Sequence, residues 1–200
     1  MYNLEEFKKL VAEGKIKDKW YFYKRTEEQK QFQAEEIPQL VNYFKEQFNV
    51  ILYPIYGTLL GIIRENDFIL HDNDVDLAYL SLQSDKEKVH QEYKLICDTL
   101  KRDNLLARIM RIGQIHCFGE SKRFKYDIWT SFLLDDKYFL FPIIDKGIDK
   151  SLILPFKSKN FRKTTLFIPN QTEKLLDYIY NDWKTPISDN WRKHNNKKIL

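Results

Sequence analysis

Apolar residues recur along this chain in two rhythms, a helical one near both ends and a strand-like one in between. Asn3 followed by Glu6 reads as a capping box and Gly14 as a stop, which predicts a short first helix. Lys15 to Arg25 is a basic-aromatic connector. Thr26 with Gln29 opens a longer helix to about Phe48, with Phe32, Leu40, Val41 and Phe44 as its apolar stripe; Pro38 inside it predicts a break or kink. Val50 to Ile55 is β-branched and apolar, the pattern of a buried strand. Gly57 to Arg64 reads as a tight turn into a short helix, Asn66-Asp67 as a loop and Val75 to Leu80 as a second strand. Ser84 with Glu87 starts a helix to about Arg102 that turns Val89, Tyr93, Ile96 and Leu100 inward. Leu105–Ile112, Ile115–Phe118, Phe124–Phe132, Lys137–Phe141 and Thr164–Ile168 follow as strands. Asn170 with Glu173 caps a last helix through about Asn181. This order predicts an α+β fold: a mixed or antiparallel sheet flanked by helices.

With no internal repeat and no Gly/Ser- or Pro-rich linker, a single domain is expected. Residues 1–48 form a helical segment packed on a core of residues 49–186, and residues 187–200 form a basic tail. Hydrophobic residues make up 43% and aromatics 15% of the 200 residues, which excludes a disordered or fibrous chain. Cys97 and Cys117 form no Cys-x-x-Cys pair, which argues against a disulfide scaffold or zinc ribbon and for a reduced, cytoplasmic setting. The apolar stretch Val50 to Ile63 is broken by Pro54, Gly57 and Gly61, whereas a spanning helix needs about 20 apolar residues. The N-terminus has no apolar signal region. Of the net charge of +4, the excess sits from Lys184 onward, in Lys184, Arg192, Lys193, Lys197 and Lys198 against Asp189. The folded body therefore lacks the basic stripe of a nucleic-acid binder, and no nucleic-acid partner is expected. A solvated tail is the plain interpretation; a weak peripheral contact with anionic headgroups is the sharper one.

The densest chemistry is His71-Asp72-Asn73-Asp74-Val75-Asp76-Leu77. On a strand, Asp74 and Asp76 point one way while Val75 and Leu77 point into the core. Carboxylates that close together repel unless a divalent cation neutralises them, and hard oxygen donors suit Mg²⁺ or Mn²⁺. A calcium loop fails, because its sixth position would be Leu77 and its twelfth Gln83. The bland alternative is a solvated turn before a strand. Upstream, Gly57-Thr58 closes one strand and opens a helix, where free N–H groups and a hydroxyl suit a phosphate; Arg64 stands at the end of that helix. Phosphate donors beside metal ligands suit phosphoryl or nucleotidyl transfer. Asp127, alone in the apolar run Tyr126-Asp127-Ile128-Trp129, supplies a candidate third acid.

These residues resemble the LicD/fukutin family of nucleotidyltransferase-fold phosphotransferases. Tyr56-Gly57-Thr58-Leu59-Leu60-Gly61-Ile62-Ile63-Arg64 is similar to the family's opening motif. Phe68-Ile69 with Asp72-Asn73-Asp74-Val75-Asp76 resembles its acidic segment, Tyr126-Asp127-Ile128 its later strand, and Asp177 to Pro186 its closing signature. Leu70-His71, Asn73 and Asn181 depart from the pattern, while the key acids are present. The resemblance implies a metal-dependent transfer of a phospho-alcohol, phosphocholine or similar, from a CDP-linked donor to a sugar hydroxyl of a cell-surface glycan: capsule, lipopolysaccharide or teichoic acid. It implies Asp74 and Asp76 as ligands of Mg²⁺ or Mn²⁺, and Asp127 as a further ligand or proton acceptor. Gly57, Thr58 and Arg64 would meet the donor phosphate, and Asp72 would orient the site.

Three further features have plain interpretations. His71 reads as a gate or solvated neighbour of the acids, with a base or ligand as the sharper role. His116-Cys117 with Cys97 has no zinc-ligand spacing and reads as buried, inert packing. Tyr180 and Trp183 read as core, and Lys122, Arg123 and Lys125 either as a solvated turn or as phosphate contacts. Two competing functions share the motifs: a nucleotidyltransferase moving NMP from an NTP to a small molecule or protein, and a catalytically silent nucleotide-binding module.

Overall fold

A computed structural model describes residues 4–180 and 182–185. Helix α1 (Leu4–Ala12) ends before Gly14, whose φ of +69° places it in the left-handed region. The expected cap Asn3 lies outside the described residues, as do Asn181, Pro186 and the tail from 187 onward. After a 3₁₀ turn (Phe22–Lys24), α2 (Glu27–Phe48) starts on the expected capping box: Thr26 Oγ1 accepts from Gln29 N at 3.2 Å, and Gln29 Oε1 accepts from Thr26 N at 3.0 Å. Asn49 closes it in a left-handed conformation. The helix runs through Pro38 without the break that proline predicts. Ala34, Ile37, Leu40 and Phe44, spaced three and four apart, are buried along one side and outweigh the roughly 3 kcal/mol a helical proline costs. Phe32 lies off that stripe and is 40% exposed, so the expected stripe is shifted.

The chain continues through β1 (Leu52–Pro54), α3 (Tyr56–Arg64), β2 (Val75–Leu80) and α4 (Lys86–Arg102), then β3 (Arg108–Arg111), β4 (Gln114–Phe118), β5 (Lys125–Leu134), β6 (Lys137–Leu140) and β7 (Ile144–Asp149). A 3₁₀ turn, the hairpin β8 (Lys157–Phe161) and β9 (Thr164–Ile168), and α5 (Thr172–Ile179) complete it. The cap of α4 is Asp85, whose Oδ1 accepts from Lys88 N at 3.0 Å, rather than Ser84. Asn170 does not cap α5 either; its amide donates to Ser151 O at 3.0 Å and Leu154 O at 3.3 Å, tying the helix entry to the preceding turn.

Strands pair in the order β1-β2-β5-β4-β3, with β6 joined to the far part of β5 and β7 to β6. Only β2–β5 is parallel among the described pairs, so the sheet is mixed. One face presents Val75, Leu77, Tyr79, Tyr126, Ile128, Ile115 and Cys117 to α2 and α4. The other presents Ala78 and Trp129 to a second apolar cluster built with α3 and α5. The alternation of Val75 and Leu77 with Asp76 thus decides which face carries the acids. No helix among the described residues is long and apolar enough to cross a membrane.

Candidate active site

The register of β2 and β5 sets the site. Asp76 pairs directly with Asp127 across this parallel ladder, so both side chains leave the same face on strands about 4.8 Å apart. On the far side of β5, His116 of β4 pairs with Asp127. Three strands therefore place Asp76, Asp127 and His116 in one row. Asp74, one repeat before Asp76, stands at the rim, where Lys125 Nζ lies 3.8 Å from its Oδ2 and 3.4 Å from Asp127 Oδ1.

Each acid of the row is fixed by its neighbours. Asp76 Oδ1 accepts from the indole N–H of Trp129 at 2.8 Å, and its backbone N–H donates to Thr58 Oγ1 at 2.8 Å. Asp127 Oδ2 accepts from Gln114 Nε2 at 3.1 Å. Its other oxygen, Oδ1, is buried 3.0 Å from His116 Nε2, yet no hydrogen bond with acceptable geometry reaches it. His116 Nδ1 is buried without a partner as well. Burial, then the charges of Asp74, Asp127 and Asp72, push the Asp76 carboxyl well above the usual carboxylate range, with Trp129 opposing.

The turn into α3 meets the acids from the β1–β2 side. Tyr56, the first residue of α3, takes a φ of +47°, a conformation costly for a non-glycine residue. Gly57 passes so close to the acidic loop that a Cβ there would sit 2.5 Å from Asp72 Oδ2 and 3.8 Å from Asp76 Oδ2. Asp72 Oδ1 accepts from Asn73 N at 2.8 Å and its carbonyl from Phe22 N at 2.8 Å. Thr58 is buried and braces β2. Arg64, at the other end of α3, donates to Trp183 O at 3.1 Å and pairs with Glu65 at 2.7 Å. Burial, then the charges of Asp76 and Asp72, raise the Tyr180 hydroxyl well above its ordinary range, with Arg64 opposing. The His71 ring packs 5.5 Å from that of Phe7.

Four contributors fall outside the expected site. Gln114 and Trp129 hold the two carboxylates, and His116 completes the row. Arg25, buried, donates to Asn73 O at 2.7 Å and Trp20 O at 2.9 Å and sits 4.0 Å from the centre of the Phe22 ring. Burial pushes its guanidinium down to about 10 against the pull of Asp72 and Asp74. The signal for Arg25 is its place two residues after the aromatic stretch Trp20 to Tyr23; Gln114, His116 and Trp129 carry none without the register. Cys97 and Cys117 are buried and free, and burial raises both thiols.

The donor set suits a hard divalent cation. Its oxygens are carboxylates, one of them, Asp127 Oδ1, buried without a hydrogen bond, and the neighbouring Asp76 is crowded by like charges. As placed, no three His, Cys, Asp or Glu side chains among the described residues surround one point. The fit therefore rests on the Asp76–Asp127 pair with Asp74 at its rim.

Residues 49–171 match the family described as "LicD/FKTN/FKRP, nucleotidyltransferase domain". Among solved structures, the lincomycin-bound lincosamide antibiotic adenylyltransferase LnuA is 14% identical and aligns over 83% of this chain and 97% of its own, with a TM-score of 0.48. ANT(2")-Ia in complex with adenylyl-2"-tobramycin is 11% identical over 82% of this chain and 84% of its own, with a TM-score of 0.46. No curated protein sequence matches the chain.

Proposed function

The chain belongs to the LicD/FKTN/FKRP family, matched through its nucleotidyltransferase domain, and from that premise we propose a phosphotransferase that moves a phospho-alcohol, phosphocholine or similar, from a CDP-linked donor to a sugar hydroxyl of a cell-surface glycan. The observation that carries the reading is the direct pairing of Asp76 with Asp127 beside the start of α3. Asp74 and Asp76 would hold Mg²⁺ or Mn²⁺, which when bound would neutralise the donor diphosphate, and Asp127 beside them would be the proton acceptor.

The chain's own residues supply the rest. The N–H groups of Gly57 and Thr58, unpaired within the helix at its first turn, face the donor phosphate. Asp72, wedged against Gly57, keeps that turn in place, and Arg64 anchors the far end of α3. The acceptor oxygen attacks the phosphorus of the phospho-alcohol, the bond to the CMP oxygen breaks, and the acceptor's proton passes to Asp127 Oδ1. Gln114, bonded to the other oxygen of Asp127, holds that carboxylate in orientation. The basic residues from Lys184 onward are the segment proposed to touch anionic headgroups at the inner face of the membrane.

The test is product analysis with CDP-choline, Mg²⁺ and a glycan acceptor. CMP release matched by phosphocholine gain is expected, lost in Asp76→Asn and Asp127→Asn proteins that keep their circular dichroism. Pyrophosphate release from an NTP, with no CMP from any CDP-alcohol, would replace this reading with nucleotidyl transfer.

A further inference from the structure

The row of paired residues does not stop at His116. In the β3–β4 ladder His116 pairs with Arg108, so Asp76, Asp127, His116 and Arg108 lie side by side across four strands on one face. The neighbouring row runs Ala78, Trp129, Gln114, Arg111. The Arg111 guanidinium stands 5.6 Å from the centre of the Trp129 ring, the indole that holds Asp76. All four residues of β3 are exposed, and neither arginine forms an ion pair among the described residues. Charges on an edge strand protect it from pairing with another chain, whichever face they occupy. Here both arginines take the face of the acids, while Ile109 pairs with Ile115, whose side chain enters the opposite core.

The two ends of this face differ in kind. At the β2 end, Asp76 adjoins the first turn of α3, where the donor phosphate is placed. At the β3 end, two strands from Asp127 and on the order of 10 Å away, stand two guanidinium forks whose geometry matches phosphate and carboxylate oxygens. With the donor assigned to the α3 side of Asp127, the β4–β3 side is left for the acceptor, and the strand order leads from there to the arginines. We propose that Arg108 and Arg111 bind an anionic group, phosphate or carboxylate, on the acceptor sugar, so that the enzyme takes acidic rather than neutral acceptors. The proposal rests on reading Asp76 and Asp127 as the reacting centre.

The test measures binding of glucose 6-phosphate, glucuronate and glucose to the full chain by calorimetry, without donor, in the wild type and in Arg108→Gln/Arg111→Gln and Arg108→Lys/Arg111→Lys proteins. At least one anionic sugar should bind the wild type about tenfold or more tighter than glucose, and that preference should vanish in the glutamine protein and return in part with lysine. Preference for glucose 6-phosphate alone identifies phosphate as the recognised group; preference for glucuronate identifies the carboxylate. An anionic sugar no tighter than glucose, or a preference that survives the glutamine substitutions, overturns the proposal. CDP-choline binding with Mg²⁺, measured separately, should be lost in Asp76→Asn and kept in the arginine variants. Loss of that signal in the wild type would strike the proposed function, while loss of the anion preference alone would strike only this inference.

Discussion

Asp76 is the residue on which the proposed chemistry and the stability of this fold pull in opposite directions. Its half-buried carboxyl is crowded by three other acids, and desolvation with their charges holds its pKa well above the ordinary range. The folded protein therefore binds more protons than the unfolded chain between the two pKa values. Stability contributed at this position is present at low pH and falls as pH rises through the folded value. Asp76→Asn removes the charge while leaving an oxygen for the Trp129 indole. In metal-free buffer at neutral pH the variant is expected to melt higher than the wild type, and to lack both the stabilisation expected of added Mg²⁺ and the proposed transfer activity. Differential scanning calorimetry with and without Mg²⁺ checks all three; a lower melting temperature in metal-free buffer contradicts the assignment of strain. Gly57→Ala tests the adjoining turn. A Cβ there must displace Asp72 Oδ2 from 2.5 Å, a side-chain shift rather than a backbone clash. Activity should drop at least about tenfold, while unfolding free energy falls by about 1–3 kcal/mol or less. Urea titration beside the transfer assay separates the two. The acids were legible in the sequence because their spacing alternates with Val75 and Leu77. His116, Gln114 and Trp129 were not, because a residue on a neighbouring strand becomes a neighbour only through register.

Elements with a local physical signal in their sequence form where that signal places them. Thr26 with Gln29 marks the start of α2, and the inward set Val89, Tyr93, Ile96 and Leu100 of α4 is buried as its spacing predicts. β7 and β8 carry no such signal. Ile-Asp-Lys-Gly-Ile-Asp and Lys-Ser-Lys-Asn-Phe have too few apolar residues to reveal a strand, and their order comes from pairing with β6 and β9. Pro38 shows the reverse failure, a strong local signal overridden by packing on both sides of it. That override leaves a recoverable cost. Pro38→Ala restores an N–H in mid-helix and should stabilise the protein by about 1–3 kcal/mol, read as a higher urea midpoint with an unchanged slope. A destabilised variant would mean that the proline ring itself packs better than a helical hydrogen bond.

The molecule as a whole is larger than its family-matched stretch, and the difference is structural. Residues 49–171 contain the entire acidic row but omit α2, which covers one face of the sheet, and α5, which helps cover the other. Phe22, Ile37, Leu40 and Phe44 are each 3% exposed or less. At about 1.5–3 kcal/mol per buried large side chain, these four alone contribute on the order of 6–12 kcal/mol, comparable to the 5–15 kcal/mol net stability of a typical domain. Arg25, which holds the acidic loop through the Asn73 carbonyl, is lost with them. A protein trimmed to residues 49–171 should therefore fail to fold: it should bind a hydrophobic dye, lose near-ultraviolet dichroism and show no cooperative melt. A cooperative transition in the trimmed chain would mean that the sheet and α4 close a core without α2. The site would then belong to the matched stretch alone, with the N-terminal segment only a cover.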